Sequence, residues 1–200
     1  MPVGIFGGTF DPPHIAHLIL AAEAQAQLGL SQVLWVLTAG PPHKQGLPLS
    51  DLEHRLGMLA EAIRDNPCFS ISRVDIDRPP PHYSLDTVRL LSAVCPHEEL
   101  IYLMGGDSLN DLPTWHQPVQ FVAACDGIGV MRRPGEEPTH LTDLEASIPG
   151  LSEKVQFIEA PLLEISSSDI RRRAAQGLPF RYFLPPGVYE IIQANHLYQG

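Results

Sequence analysis

The stretch Val3-Gly4-Ile5-Phe6-Gly7-Gly8-Thr9-Phe10-Asp11-Pro12-Pro13-His14-Ile15-Ala16-His17 decides the fold. Residues 3–6 are an apolar run of strand length. Gly7 and Gly8 follow it directly, where glycine lets the backbone turn tightly and lets a ligand approach peptide N–H groups. An amphipathic segment begins near His14, so the amides of a helix N-terminus face the same space as the glycines. That is a ready anion site. The stretch is neither a Walker A loop, which needs Gly-Lys-Ser/Thr, nor the G-x-G-x-x-G dinucleotide fingerprint.

The same alternation continues along the chain. Further apolar runs lie at residues 33–37, 69–74, 100–104, 127–131 and 155–158. Helical spacing lies between them. In the first helix Leu18, Ala22, Gln25 and Leu28 share a face, with Ile15 and Ile19 beside it and Gly29 as C-cap. Asp51-Leu52-Glu53-His54 opens the second, in which Leu52, Leu56, Leu59 and Ile63 recur. Ser84-Leu85-Asp86 begins the third, with Leu85, Val88 and Leu91. Strand and helix in succession imply right-handed crossovers. The expected fold is α/β, a doubly wound, mostly parallel sheet with helices on both faces. Such a sheet binds ligands beyond the carboxyl ends of its strands. A single domain over residues 1–200 is expected, with a C-terminal helical part at about 166–200. The prolines cluster in connections such as Pro12-Pro13, Pro41-Pro42, Pro79-Pro80-Pro81 and Pro185-Pro186, as stiffened loops. Residues 136–150 are acidic and weakly patterned, and are expected to form a surface excursion.

Composition narrows the function. The 200 residues carry 23 acidic and 13 basic side chains, a net charge of −10. That balance opposes a nucleic-acid coat or a basic membrane-surface protein, which need dense Lys/Arg patches. It leaves room for a small anionic ligand, because the charge is segregated. Residues 136–159 hold six acids and one base, whereas residues 166–182 hold four arginines and one acid. Cys68, Cys95 and Cys125 are scattered and form no CxxC pair, which fits a reducing cytoplasm. No basic n-region with an apolar stretch is present, so no signal peptide is expected. No apolar run approaches the roughly 20 residues that span a bilayer.

Two clusters carry the chemistry. His14 and His17 lie three apart, on one helical face. Three readings fit them: donors to a phosphate and to charge growing in a transition state, a partly exposed cap beside a core histidine, or a metal pair lacking an obvious third ligand. The second cluster is Ile165-Ser166-Ser167-Ser168-Asp169-Ile170-Arg171-Arg172-Arg173. Ser166 and Asp169 have the spacing of a capping box. Beyond capping, the three serines and Arg171 present hydroxyls, free amides and a guanidinium fork to an anion.

The first stretch resembles the Gly-Gly-Thr-Phe-Asp-Pro-x-His-x-Gly-His signature of the nucleotidyltransferases related to class I aminoacyl-tRNA synthetases. The second resembles their Ile-Ser-Ser-Thr-x-Ile-Arg signature. Ala16 stands where those proteins usually have Gly, and Ser168 where they usually have Thr. Further blocks resemble the bacterial nicotinate-nucleotide adenylyltransferase family: Pro41-Pro42-His43-Lys44, Tyr83-Ser84, Gly105-Gly106-Asp107-Ser108, Pro113-Thr114-Trp115, Arg132-Arg133-Pro134-Gly135, Leu184-Pro185-Pro186-Gly187-Val188 and Leu197-Tyr198.

The resemblance implies a Rossmann-like nucleotidyltransferase fold and adenylyl transfer from ATP to nicotinate mononucleotide, giving deamido-NAD and pyrophosphate in a cytoplasmic enzyme. It implies Mg²⁺ bound mainly through the ATP phosphates, and no nucleic-acid or membrane partner. Self-association is left open. His14, His17 and Arg171 are implied as catalytic. Gly7, Gly8, Thr9, Phe10, Lys44, Gly106, Asp107, Arg133, Ser166, Ser167 and Ser168 are implied to bind ATP or phosphate. Tyr83, Ser84 and Trp115 are implied to bind the nicotinate nucleotide. Asp107 could alternatively be a helix N-cap, Ser84 an ordinary cap, and Trp115 a core-edge side chain. An adenylyltransferase for nicotinamide mononucleotide or phosphopantetheine, and a non-catalytic nucleotide sensor, are the alternatives.

Overall fold

The computed structural model describes residues 1–40, 49–132, 141–161 and 163–199. Six strands form one sheet: β1 (Pro2–Gly8), β2 (Gln32–Leu37), β3 (Phe69–Ser72), β4 (Glu99–Gly105), β5 (Gly127–Arg132) and β6 (Val155–Glu159). All neighbours pair in parallel, in the order β3-β2-β1-β4-β5-β6. This is the doubly wound order, and its direction reverses between β1 and β4. Every expected strand is present. The third is shorter than its apolar run, ending at Ser72, because residues 73–77 turn away with the Ile76 and Asp77 amides bonded to the Arg73 carbonyl.

Strand side chains alternate between two cores. Val3, Ile5, Leu100, Tyr102, Met104, Ile128 and Val130 face one side. There they meet Leu85, Val88 and Leu91 of α3 (Ser84–Val94) and Phe121 and Val122 of α5 (Pro118–Ala124). Phe6, Val33, Trp35, Leu37, Ile101 and Leu103 face the other side, under α1 (Ile15–Gln27) and α2 (Leu52–Ile63). A third cluster joins Met58 of α2 to Ile170 and Ala174 of α8 (Ser167–Ala175) and to Val188 and Ile192 of α9 (Pro186–Ala194). Three short helices complete the described α-helices: α4 (Gly106–Asp111), α6 (Leu141–Ser147) and α7 (Leu151–Lys154).

Two expectations need correction. The buried face of α1 is Leu20, Ala21 and Ala24, whereas Ala22 is exposed. Apolar residues surround this helix, so periodicity misplaces its stripe; alanines face the sheet because they let the helix lie close. Gly29 does terminate it, at φ 61°, with the Leu30 amide reaching back to the Gln25 carbonyl. Residues 136–140 lie outside the described residues. The rest of the acidic stretch is not a plain excursion: it forms α6, and Ile148 beside it is fully buried in the first core. Lys154, one of only two lysines, donates to the carbonyls of Val122, Ala123 and Cys125 at 2.9, 3.2 and 2.6 Å. It caps the C-terminal end of α5, where a cation is favoured.

Candidate active site

Two cavities open over the carboxyl ends of β1 and β4, at the switch point. The larger, about 510 Å³, is lined by His14, His17, Asp107, Ser166, Ser167, Ser168 and Arg171 among others. The smaller, about 300 Å³, is lined by Gly7, Gly8, Thr9, Thr38, His82, Tyr83, Ser84, Tyr102, Trp115 and His116 among others. Phe6, Gly105 and Ser108 line both, so the two spaces meet there.

His14 is the N-cap of α1, and its ring stacks on that of His17 with centroids 3.6 Å apart and planes at 24°. The His14 amide donates to His17 Nδ1 at 3.2 Å. That nitrogen is therefore the acceptor, and the neutral ring carries its proton on Nε2. Burial pushes the His14 imidazole down to about 4. Two adjacent neutral rings can stack without charge repulsion. His14 Nδ1 is buried and finds no hydrogen-bond partner, an unsatisfied polar atom at a cavity wall.

The far cluster is docked onto the first loop. Arg171 Nη1 donates to the Asp11 carbonyl at 2.7 Å, and Ser167 Oγ to the Pro12 carbonyl at 2.9 Å. Ser166 caps α8 by accepting the Asp169 amide at 3.2 Å. The second half of the expected capping box does not form as drawn, because the Asp169 carboxylate pairs with Arg172 and Arg173. Those ion pairs hold the Asp169 carboxyl below its usual range.

The smaller cavity has an aromatic wall. Trp115 follows a 3-10 turn (Leu112–Thr114) and is half-buried, packed against Tyr102 and Phe121. It is thus a core-edge side chain and a cavity wall at once. Tyr83, not Ser84, is the N-cap of α3; Ser84 is hydrogen-bonded instead to the Tyr102 hydroxyl at 3.1 Å. Burial pushes that phenol up to about 12. Tyr83 stacks on His116 with centroids 4.0 Å apart.

Other expected site residues fall differently. Gly7 and Gly8 close β1 rather than turning after it, and neither has a positive φ. Their lack of a side chain serves close packing: a Cβ on Gly7 would stand 2.9 Å from the Tyr102 hydroxyl, and one on Gly8 2.9 Å from the Phe10 ring. Both, with Thr9, line the smaller cavity. Phe10 lines neither cavity. It is buried at φ 45° and packs edgewise on His17, so it supports a site residue without reaching the ligand space. Strand β4 ends at Gly105, which is also the N-cap of α4. Gly106 is therefore a buried helical residue, and Asp107 is not a cap but, among the described residues, the one carboxylate lining the larger cavity. Lys44 and Arg133 lie outside the described residues.

Sequence reasoning missed the residues that hold this site. Asp11 is fully buried; its carboxylate accepts the Tyr198 hydroxyl at 2.6 Å and the Ser50 amide at 3.1 Å. Burial and then Asp11 raise the Tyr198 phenol, so it stays a donor. Arg55, 3% exposed, donates to the carbonyls of Ser50, Thr9, Thr38 and Ala39 at 3.0, 3.3, 2.9 and 2.9 Å. One signal existed for it: Arg55 sits three residues after Leu52 and four before Leu59, on the apolar stripe of α2.

Among the described residues no group of three His, Cys, Asp or Glu side chains could hold a metal ion. No described helix is long and apolar enough to cross a membrane.

The chain matches known proteins over nearly its whole length. Residues 5–173 match the cytidylyltransferase-like family. The probable nicotinate-nucleotide adenylyltransferase of Thermomicrobium roseum is 46% identical, over 98% of this chain and 91% of that protein. That of Streptomyces coelicolor is 42% identical, over 97% of this chain and 99% of that protein. Among solved structures, the Plasmodium falciparum nicotinic acid mononucleotide adenylyltransferase complexed with NaAD superposes with a TM-score of 0.80 at 18% identity, over 98% and 97% of the two chains. That likeness is one of fold; the sequence identities carry the assignment. The chain belongs to the nicotinate-nucleotide adenylyltransferase family of cytidylyltransferase-like nucleotidyltransferases.

Proposed function

We infer that the protein transfers the adenylyl group of ATP to nicotinate mononucleotide, forming deamido-NAD and pyrophosphate. The observation that carries this reading is the pair of cavities meeting at Phe6, Gly105 and Ser108. One is lined by the two histidines, the three serines and Arg171, and the other by an aromatic wall. ATP occupies the larger cavity and the nicotinate nucleotide the smaller, so their phosphates meet between them.

A 5′-phosphate oxygen of the nucleotide attacks the α-phosphorus of ATP, forming one P–O bond. The bond from that phosphorus to the oxygen bridging to the β-phosphate breaks, and pyrophosphate leaves with its electron pair. The attacking oxygen is already anionic, so no general base is required. Catalysis then reduces to alignment and charge stabilisation. His17 donates from Nε2 to the α/β-phosphate region, with His14 beside it. Arg171, after its single bond to Asp11, keeps further N–H donors for the departing pyrophosphate, and the serines at the start of α8 add hydroxyls. Trp115 stacks on the pyridine ring, and the first amides of α3 receive the carboxylate.

Mg²⁺ favours oxygen ligands and retains water. Among the described residues, Asp107 and the serine hydroxyls are the oxygen donors lining the larger cavity, too few for a protein cage, so it would be held mainly by the triphosphate and neutralise its charge.

The test is pyrophosphate release with ATP and three acceptors: nicotinate mononucleotide, nicotinamide mononucleotide and phosphopantetheine. Release should be fastest with nicotinate mononucleotide. No release with either pyridine nucleotide would overturn the reading.

A further inference from the structure

His82 is the buried histidine that the proposed chemistry leaves unused. It is 6% exposed and lines the smaller cavity between Thr38 and Tyr83. Its Nε2 lies 3.2 Å from the Arg78 carbonyl. Its Nδ1 lies 3.1 Å from the Gly40 carbonyl and 3.2 Å from the Gly40 amide nitrogen. Nε2 bonds the Arg78 carbonyl and Nδ1 bonds the Gly40 main chain, the proton's place on the ring deciding whether Nδ1 accepts from the amide or donates to the carbonyl. Both ring nitrogens are therefore satisfied by main chain, from loops 42 and four residues away.

Each of those loops is held by its own arginine, Arg55 buried and Arg78 partly buried. On the β2 side, Arg55 fixes the carbonyls of Thr38 and Ala39, next to Gly40. On the α3 side, Arg78 bonds Asp75 through Nε and Nη2 at 3.0 and 2.9 Å, and donates to the carbonyls of Pro81 and Tyr83 at 2.8 and 3.2 Å. Asp75 is 2% exposed and also accepts the Thr87 hydroxyl at 2.8 Å. The side chains of the two arginines bond only their own loops among these contacts. Among these contacts of the described residues, the imidazole of His82 joins the two loops across the cavity wall.

We propose that His82 is a positioning residue for the acceptor: it sets the separation between the Thr38 side and the Tyr83–Ser84 side of the nicotinate cavity. This rests on the reading that the smaller cavity binds the nicotinate nucleotide. The larger cavity depends on other contacts, those of Arg171 and Ser167 with the first loop. Losing the ring should therefore loosen one substrate site and spare the other.

The experiment measures kcat and both KM values for the full-length H82A and H82N variants, with W115A in parallel. Two lost hydrogen bonds should raise the KM for nicotinate mononucleotide about tenfold in H82A, with kcat and the KM for ATP within about twofold. Asparagine keeps an amide near the position of Nδ1, able to accept from the Gly40 amide or donate to its carbonyl, so H82N should recover part of the loss, to about threefold. If H82A does not fold, H82N carries the test, because its intermediate, acceptor-selective defect is expected on its own. An equal rise in both KM values, or no rise in either, overturns the proposal. W115A separates this from failure of the underlying reading. A selective effect there without one at His82 sinks the positioning role alone, and no selectivity at either position sinks the acceptor cavity itself.

Discussion

Replacing Arg55 with methionine removes the donors that gather three segments of chain, and its magnitude can be worked from the contacts. Four N–H···O bonds are lost, to Ser50, Thr9, Thr38 and Ala39. Bonds from a charged donor are worth about 1.5–3 kcal/mol each, so a simple sum would exceed 6 kcal/mol. Two effects reduce it. Burying the guanidinium was itself costly, as its lowered pKa shows, and Asp11 only partly offsets that burial. Water can also reach some of the carbonyls once the fork is gone. Against this, fully buried Asp11 loses its nearby positive charge. Breaking one side of such a buried arrangement costs about 3–5 kcal/mol. That is a large part of the roughly 5–15 kcal/mol that holds a domain of this kind together. The melting temperature should fall by about 6–20 °C. Urea unfolding should show a lower midpoint with an unchanged slope. R55K restores the charge beside Asp11 but not the planar fork, and should lie between the two proteins. A loss below about 1 kcal/mol in R55M would refute the role assigned to Arg55, because the four carbonyls would then not depend on it.

Two further outcomes concern the histidine pair. H17A should lower kcat by about 100- to 1000-fold with the fold intact by circular dichroism, the usual cost of removing one donor to a developing charge; near-normal turnover would remove His17 from the mechanism. His14 makes stability depend on acid. Its native pKa is depressed to about 4 while the unfolded value is 6.5, so the unfolded chain binds the proton first. Stability from this group is fully present above pH 6.5 and is lost as pH falls towards 4, by up to about 3 kcal/mol. In H14Q that part of the slope should disappear from urea midpoints measured between pH 7 and 4; an unchanged slope would show that His14 is not held neutral by burial.

The sheet was legible because parallel strands covered on both faces read as continuous apolar runs, and the six runs of this chain are interrupted by helices of ordinary length. Helix existence was equally plain, but helix orientation was not. In α1 the alternatives Ala22 and Ala24 are chemically identical, and only the sheet beneath the helix distinguishes them. The side chains of the candidate site were legible for a different reason. His14, His17, Arg171 and the serines have few uses in a loop other than donating to something, and the topology brings both clusters to one cavity.

What holds those clusters in place was not legible, and the reason is chemical. The partners of Arg171, Ser167, Arg55 and Lys154 are main-chain carbonyls, as are those of Arg78 Nη1 and His82 Nε2. Every residue has a carbonyl, so the acceptor leaves no mark on the sequence even when the donor does. The separations are also long: Ser167 reaches back 155 residues, Arg171 160 and Tyr198 187. A basic residue on an apolar helical stripe, as at Arg55, announces that a buried charge must be compensated, but not by what. Asp11 makes the same point from the other side. Its place in the motif does not show its partners: in the fold its carboxylate is committed to Tyr198 and the Ser50 amide, and its carbonyl to Arg171. The residue therefore bears on the site through the shape of the first loop, whose carbonyl at Asp11 holds Arg171.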